Sequence, residues 1–280
     1  MDILFSDFNI IFYIFFFLTG LVLGSFANVC IYRMPLNLSI VKPRSSCTVC
    51  KKQIKWYDNI PIMSYIILHG KCRYCKEKIS ITYPIIELLT GLLFVLLYHF
   101  YGLTPAFFLF CFMTFCLVVI SGIDYYYQII PDIFPLMLTV AGFLLSFFNV
   151  SLGEHFMQKF LNAFIGFIAG GGSLFLIGLL GQFFFKKEAM GGGDIKLMAG
   201  IGAIVGWQRA LFAIFIASFL GSILGLFLIL TKRVERKGYM PFGPFLAVAS
   251  YITLLIPAPS FLLNSFFVLE LDFINKFFGT

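Results

Sequence analysis

Two aspartates are the residues best placed to do chemistry. Asp194 follows three glycines, Gly191, Gly192 and Gly193, and stands at the head of an apolar run. An ionised side chain beside a membrane span is costly, so it is a functional hypothesis by default. With no Cβ at positions 191 to 193, a second extended backbone could lie against this one within reach of the carboxylate. Asp124, in Ser121-Gly-Ile-Asp-Tyr-Tyr-Tyr-Gln-Ile-Ile-Pro-Asp132, comes just past the end of another apolar run. If the two meet, one holds a proton that the other shares, because neighbouring carboxylates resist double ionisation. A base and an acid on either side of a water are what peptide hydrolysis requires when no covalent intermediate forms.

Four cysteines offer a second chemistry. Cys47-Thr-Val-Cys50 and Cys72-Arg-Tyr-Cys75 are two Cys-x-x-Cys pairs separated by a short segment with Trp, Tyr and Pro. Each pair brings two sulfurs to one tetrahedral ion, and the spacing is close to that of zinc ribbons. With four thiolates no coordination position is left for water, so such a zinc is structural. Two disulfides are the competing reading, which a reducing compartment disfavours. Cys30, Cys111 and Cys116 lie in apolar runs and read as small buried hydrophobes. His69, His99 and His155 are scattered and show no ligand spacing.

The elements that must position these groups are membrane helices. The chain has 280 residues, of which 60% are hydrophobic and only 12% charged, with mean hydropathy +0.97. That excludes an ordinary soluble domain. Aromatic content is 19%, including 38 Phe, and reads as lipid-facing and packing bulk rather than a cofactor box. Net charge of +7 raises nucleic acid as a partner, but the cations cluster between spans, so the expected partner is the lipid bilayer and no nucleic acid.

Phe8 to Val29 is long enough to cross a bilayer of roughly 30 Å. No Lys or Arg precedes it, so it lacks the basic region of a secretory signal and is expected to remain as a span with its N-terminus outside. Further apolar runs follow near residues 84–101, 105–121, 133–150, 160–185, 195–207, 210–231 and 241–257, of which 195–207 is short for a full crossing. Between the first two spans, ten cations face only Asp58 and Glu77. Alternation from an outer N-terminus puts that insert, Asp124, Asp194 and the 232–237 basic run on one side. That side collects 17 of the 20 Lys and Arg, leaving Lys159, Arg209 and Lys276, and is therefore cytoplasmic. The expectation is an all-α polytopic membrane protein of about eight transmembrane helices with a small zinc-ribbon-like cytoplasmic insert between the first two. Its parts are a first transmembrane helix at 1–32, the zinc-binding insert at 33–82, a seven-helix membrane domain at 83–257 and an interfacial tail at 258–280.

Smaller features read as packing. Gly166, Gly170, Gly171 and Gly172, at small-xxx-small spacing, let helices approach closely. Glu87 is placed in the first turn of its span, where a helix N-terminus favours an acid, with a polar site as the alternative. Asp132 is placed to cap the next helix.

In this order the residues resemble the type IV prepilin peptidases, membrane enzymes of the Gly-x-Gly-Asp aspartic protease group. The likeness runs through Gly24-Ser-Phe-Ala-Asn-Val29, Tyr32-Arg-Met-Pro35, the cysteine pairs flanking Asp58-Asn-Ile-Pro61 and Ser64-Tyr65, then Tyr83-Pro84 and Glu87. It continues through Asp124, Ile130-Pro-Asp132, Gly191-Gly-Gly-Asp194 with Lys196-Leu197, Gly206-Trp207 and Pro241-Phe-Gly-Pro-Phe-Leu-Ala247. Thr48 departs from the pattern, because many members have proline there; no ligand is lost.

The resemblance implies that Asp124 and Asp194 are the catalytic pair and that they cut the basic leader from type IV prepilin or pseudopilin precursors after a glycine. It implies residence in the bacterial inner membrane and methylation of the new N-terminal amine, commonly on phenylalanine, with S-adenosylmethionine as donor. It further points to the insert, including Gly70 and Lys71, as part of the methylation region. Read as residues alone, Gly70 is equally a turn and Lys71 a solvated charge. No Gly-x-Gly-x-x-Gly marks a cofactor site. Two rivals stand beside this expectation. One is a transporter using Asp124 and Asp194 as a cation or proton site, and the other a protease of the same group without methylation.

Overall fold

A computed structural model describes residues 2–186, 190–231 and 241–256. Among them are nine α-helices and no strand: α1 Asp2–Arg33, α2 Met63–Ile67, α3 Thr82–Tyr101, α4 Pro105–Tyr127, α5 Ile133–Leu145, α6 Phe156–Phe185, α7 Gly192–Val205, α8 Trp207–Leu230 and α9 Gly243–Leu255. Helix α2 belongs to the insert, which leaves eight apolar helices, as expected. Five of these, α1, α3, α4, α6 and α8, are long and apolar enough to cross a membrane. Helix α7, with 14 residues, extends only about 21 Å at 1.5 Å per residue. Helices α5 and α9, with 13 residues each, are shorter still. The tail assigned to 258–280 and the basic run at 232–237 lie outside the described residues.

Two helices form the centre. Helix α4 buries Phe107, Phe110, Met113, Ile120 and Ile123, while α7 buries every residue from Leu197 to Val205. By contrast α8 turns Phe215, Phe219, Ile223 and Phe227 outward, as a lipid-facing helix can. The grip on α7 comes from small residues. A Cβ on Gly166 would strike the Gly202 carbonyl, one on Gly202 would strike the Gly166 carbonyl, and one on Gly170 would strike that of Met198. Bare backbones can touch there, which is how helices associate where lipid supplies no hydrophobic driving force. Gly171 packs on Ala199 in the same way, but Gly172 meets only Ile168 of its own helix, at 3.9 Å. On the other flank, Gly200 faces the Pro135 carbonyl of α5.

The helix ends follow local rules. The Thr104 hydroxyl accepts the Phe107 N–H and Pro105 starts α4, whereas Gln128, at φ 55, ends it. Hydropathy fades near residue 121 but the helix does not, so Asp124 lies inside the last turn of α4 rather than beyond an apolar run. The far end of α7 is closed by Asn149, whose amide donates to the Ile204 carbonyl at 2.8 Å, satisfying a buried group that helix geometry leaves orphaned. Helices α1 and α3 cross at Gly20, Gly24 and Gly91, and the insert sits over that crossing.

Candidate active site

The two central helices each present an aspartate at the end of the bundle that carries the insert. Asp124, 4% exposed, closes α4, and Asp194, 5% exposed, lies in the first turn of α7 behind the N-cap residue Gly191. Asp124 lies close enough for its charge to act on Asp194. The amide of Gly243, first residue of α9, donates to Asp124 Oδ2 at 2.9 Å. Gly243 was not singled out from sequence as a site residue, although it lies within the Pro241–Ala247 stretch. The signal available was a glycine between two prolines.

The loop after α4 fastens the start of α7. Ile130 fills the space against Gly193, where a Cβ would come within 2.9 Å of the Ile130 Cβ. Lys196 pairs with Asp132 at 2.8 Å. Asp132 therefore occupies the N-cap position of α5 without capping it, because its carboxylate is drawn across to α7. The expectation of three glycines open to a second backbone divides: Gly193 is packed, whereas a Cβ on Gly192 would meet none of the described residues within 4 Å.

The four cysteines converge. Their sulfurs all lie within 4.8 Å of one another, and Cys47 Sγ and Cys75 Sγ stand 3.8 Å apart. A tetrahedral ion with arms of about 2.3 Å sets its sulfurs about 3.8 Å apart, so the group can hold a metal at one common point. Two separate disulfides would instead need bonded pairs at about 2.05 Å. The Cys75 and Tyr74 amides bring the Cys72 thiol down to about 7, favouring a thiolate, whereas Cys75, despite the Glu77 amide, is pushed up to about 11 by desolvation and its sulfur neighbours.

The two knuckles repeat one another. Cys47 N–H donates to Lys52 O as Cys72 N–H does to Glu77 O; Ile54 N–H reaches Ser45 O as Ile79 N–H reaches Gly70 O. Lys51 and Lys76 both take φ 59. Sequence inspection finds no long repeat, and this one is short because only the turn chemistry recurs. Gly70 has φ 66 with the Tyr65 ring against it, so it is a turn residue, and Lys71 bridges to Lys78.

Between the insert and the α1–α3 crossing lies a cleft of about 260 Å³. Glu87 forms part of its wall, 7% exposed. It sits beyond the first turn of α3, not at the helix N-terminus as expected, and its Oε2 accepts the Ile62 N–H of the insert at 2.8 Å. Gly70 and Lys71 are not part of that wall. Thr82 and Tyr126, 3.4 Å apart through their hydroxyls, join the start of α3 to the last turn of α4, so cleft and aspartates share one end of the bundle.

Helices that bury two carboxylates at one end and turn apolar side chains outward elsewhere define a polytopic α-helical membrane protein with two buried aspartates at one end of its bundle. Residues 18–101 match the Bacterial Peptidase A24 N-terminal domain and residues 110–226 match the Type IV leader peptidase family. Curated relatives named prepilin leader peptidase/N-methyltransferase include one from Pseudomonas putida, 32% identical over 84% of this chain and 88% of the relative. One from Neisseria gonorrhoeae is 36% identical over 83% and 86%, and one from Myxococcus xanthus 37% identical over 84% and 70%. No solved structure matches the chain. The chain belongs to the type IV leader peptidase family and is an enzyme.

Proposed function

We propose that the chain is a bifunctional enzyme of the inner membrane, with its aspartates and insert on the cytoplasmic face. It removes the basic leader of type IV prepilins or pseudopilins after a glycine and then N-methylates the new terminus. The observation that supports the peptidase half is that Asp124 and Asp194, buried on two central helices at the end of the bundle that bears the basic insert, lie within electrostatic reach. A precursor with its apolar helix in lipid would present its cleavage site at that depth. Gly192, open to its surroundings, leaves room for an extended peptide there.

In this reading the aspartates bind and polarise the attacking water, one as base while the other protonates the departing amine. With one Asp124 oxygen held by the Gly243 amide, the other is available to that water. The four cysteines hold zinc, which ties the two knuckles together and takes no part in proton transfer. For methyl transfer, S-adenosylmethionine supplies an electrophilic methyl when bound. Tyr32, Tyr65, Tyr74 and Tyr83 line the cleft, and aromatic faces suit a cationic sulfonium. Gly70 and Lys71 act here by shaping the knuckle that carries Cys72 against the cleft.

Mass spectrometry of a precursor peptide incubated with enzyme in detergent, with and without S-adenosylmethionine, tests the whole reading. Cleavage in both samples and a methyl group only in the second is expected. Asp124→Asn and Asp194→Asn should each abolish cleavage while the protein remains folded. Wild-type cleavage by either variant would remove the aspartate assignment.

A further inference from the structure

The peptidase centre leaves one buried carboxylate unused. Glu87 is 7% exposed, lines the cleft, and has no ion-pair partner among the described residues. The other acids there differ, since Asp58 is gripped by Arg73 and Glu77 is exposed. Burying an ionisable group without a partner costs several kcal/mol, by order of magnitude, which argues for a ligand rather than for stability.

The surroundings of Glu87 are built. A Cβ on Gly24 would come within 2.7 Å of the Glu87 Cα, so the bare backbone of α1 is what brings Ser25 beside the carboxyl. Asn28 ties α1 to the Tyr83 carbonyl at 3.1 Å, fixing the opposite edge. Above it, Ile62 takes φ 61 and ψ −52 at the centre of a three-residue turn closed from Met63 N–H to Pro61 O. A β-branched residue at positive φ is an outlier, and this turn hand is the rare one. The strained turn directs the Ile62 N–H at one oxygen of Glu87.

We propose that Glu87 binds the free α-ammonium of the cleaved peptide at the wall of this cleft and takes its proton for methyl transfer. This rests on the N-methylation reading above. The location favours the peptide amine over that of the methyl donor. Glu87 lies on a membrane-spanning helix just inside its insert end, at the depth where a lipid-anchored substrate helix would begin, and a water-soluble donor would enter from the insert side. Thr82, next in the chain to Tyr83 of the cleft wall, meets the hydroxyl of Tyr126, two residues after Asp124, so the two sites lie at one end of the bundle and the new terminus need only shift sideways.

The step balances. Glu87 accepts one proton from the ammonium, and the amine lone pair thus exposed bonds to the methyl carbon. The carbon–sulfur electron pair remains on the departing thioether, and the Glu87 proton passes to water.

The test measures binding without turnover, on the full-length, metal-loaded enzyme in detergent. A fluorescent apolar peptide beginning with phenylalanine is compared with its N-acetylated form, with no methyl donor present. Wild type should prefer the free amine by roughly tenfold, the scale of one charge-assisted contact. Glu87→Gln keeps an oxygen for the Ile62 N–H, so cleavage and metal content should persist while the preference falls to about one. An unchanged preference in Glu87→Gln would overturn the assignment. So would loss of S-adenosylhomocysteine binding with the peptide preference intact, which would give the ammonium to the donor.

A photoreactive first residue on the free-amine peptide provides a second measurement that needs no variant. Labelling of the wall formed by Ser25, Asn28 and Tyr83 is expected, and labelling confined to α4 and α7 would overturn the site. A wild type that shows the preference yet never methylates would support the ammonium site while sinking the methyl-transfer reading.

Discussion

The amide of Gly243 donates to Oδ2 of Asp124 at 2.9 Å, and a Cβ added to Gly243 would lie 2.7 Å from that same oxygen. The start of α9 thus fixes the rotamer of a carboxylate 119 positions earlier in the chain. Gly243→Ala should push the carboxylate aside and lower peptide cleavage by roughly a hundredfold, the cost of a misplacement of about 1 Å at a reacting group. Cleavage of a precursor peptide, set against the thermal midpoint in detergent, measures it; wild-type cleavage would mean that the contact has slack.

Helix α7 depends on bare contact with α6. Gly202→Val should lower unfolding stability in detergent by at least about 1–3 kcal/mol, because the added atoms meet the Gly166 carbonyl rather than a side chain that can move. Gly172→Ala is the matched control. Its Cβ meets only Ile168, at 3.9 Å, so it should be neutral or stabilising by up to about 1 kcal/mol from helix propensity. Equal losses in both variants would refute the packing account.

Metal analysis of the purified protein should find about one zinc per chain, since four thiolates complete one tetrahedral shell. Replacing any of Cys47, Cys50, Cys72 or Cys75 by Ser should remove it and open the insert to proteolysis. Two disulfides and no metal in the wild type would end that assignment.

Arg73 grips Asp58 at 2.6 and 2.7 Å, and this hydrogen bonding holds the carboxyl below its ordinary range. A carboxyl whose pKa is lowered by folding contributes stability fully above its unfolded value, and the contribution is lost as pH falls through the folded one. The pair should therefore hold the insert unchanged from pH 7 to 5 and fail only below about pH 4. In Arg73→Ala the contribution should already be absent at pH 7, so the insert should be more readily cut there and this acid-dependent step should disappear. Proteolysis of the insert across that range measures both, and their difference separates the pair from protonation of the cysteines.

Much of this was legible beforehand because it is local. Hydropathy located the eight apolar helices, since each needs only its own residues to be insoluble in water. Cys-x-x-Cys spacing located the sulfurs, since one turn sets their separation. Yet hydropathy misplaced the end of α4: its backbone bonds run on past the last apolar residue, as Gln128 N–H to Asp124 O shows, and the Asp124 side chain finds its partner in an amide of α9 that no window of neighbours can register. Asp132 and Glu87 also depart from expectation. Neither serves the start of its own helix: Asp132 pairs with Lys196 instead, and Glu87 lies beyond the first turn because α3 begins at Thr82, meeting Ile62 of the insert there.

The chain alone determined what must be buried in lipid, which end gathers positive charge, and which groups can bind metal or move protons. These are properties of single residues and of turns a few residues long. Only the tertiary structure decided that residue 243 meets Asp124 within electrostatic reach of Asp194, that Gly193 is packed while Gly192 has no described neighbour against it, and that Glu87 forms part of the wall of a cleft. Those outcomes depend on how close two helix axes come, and that distance is set jointly by glycines on different helices, each of which means nothing until its neighbour is in place.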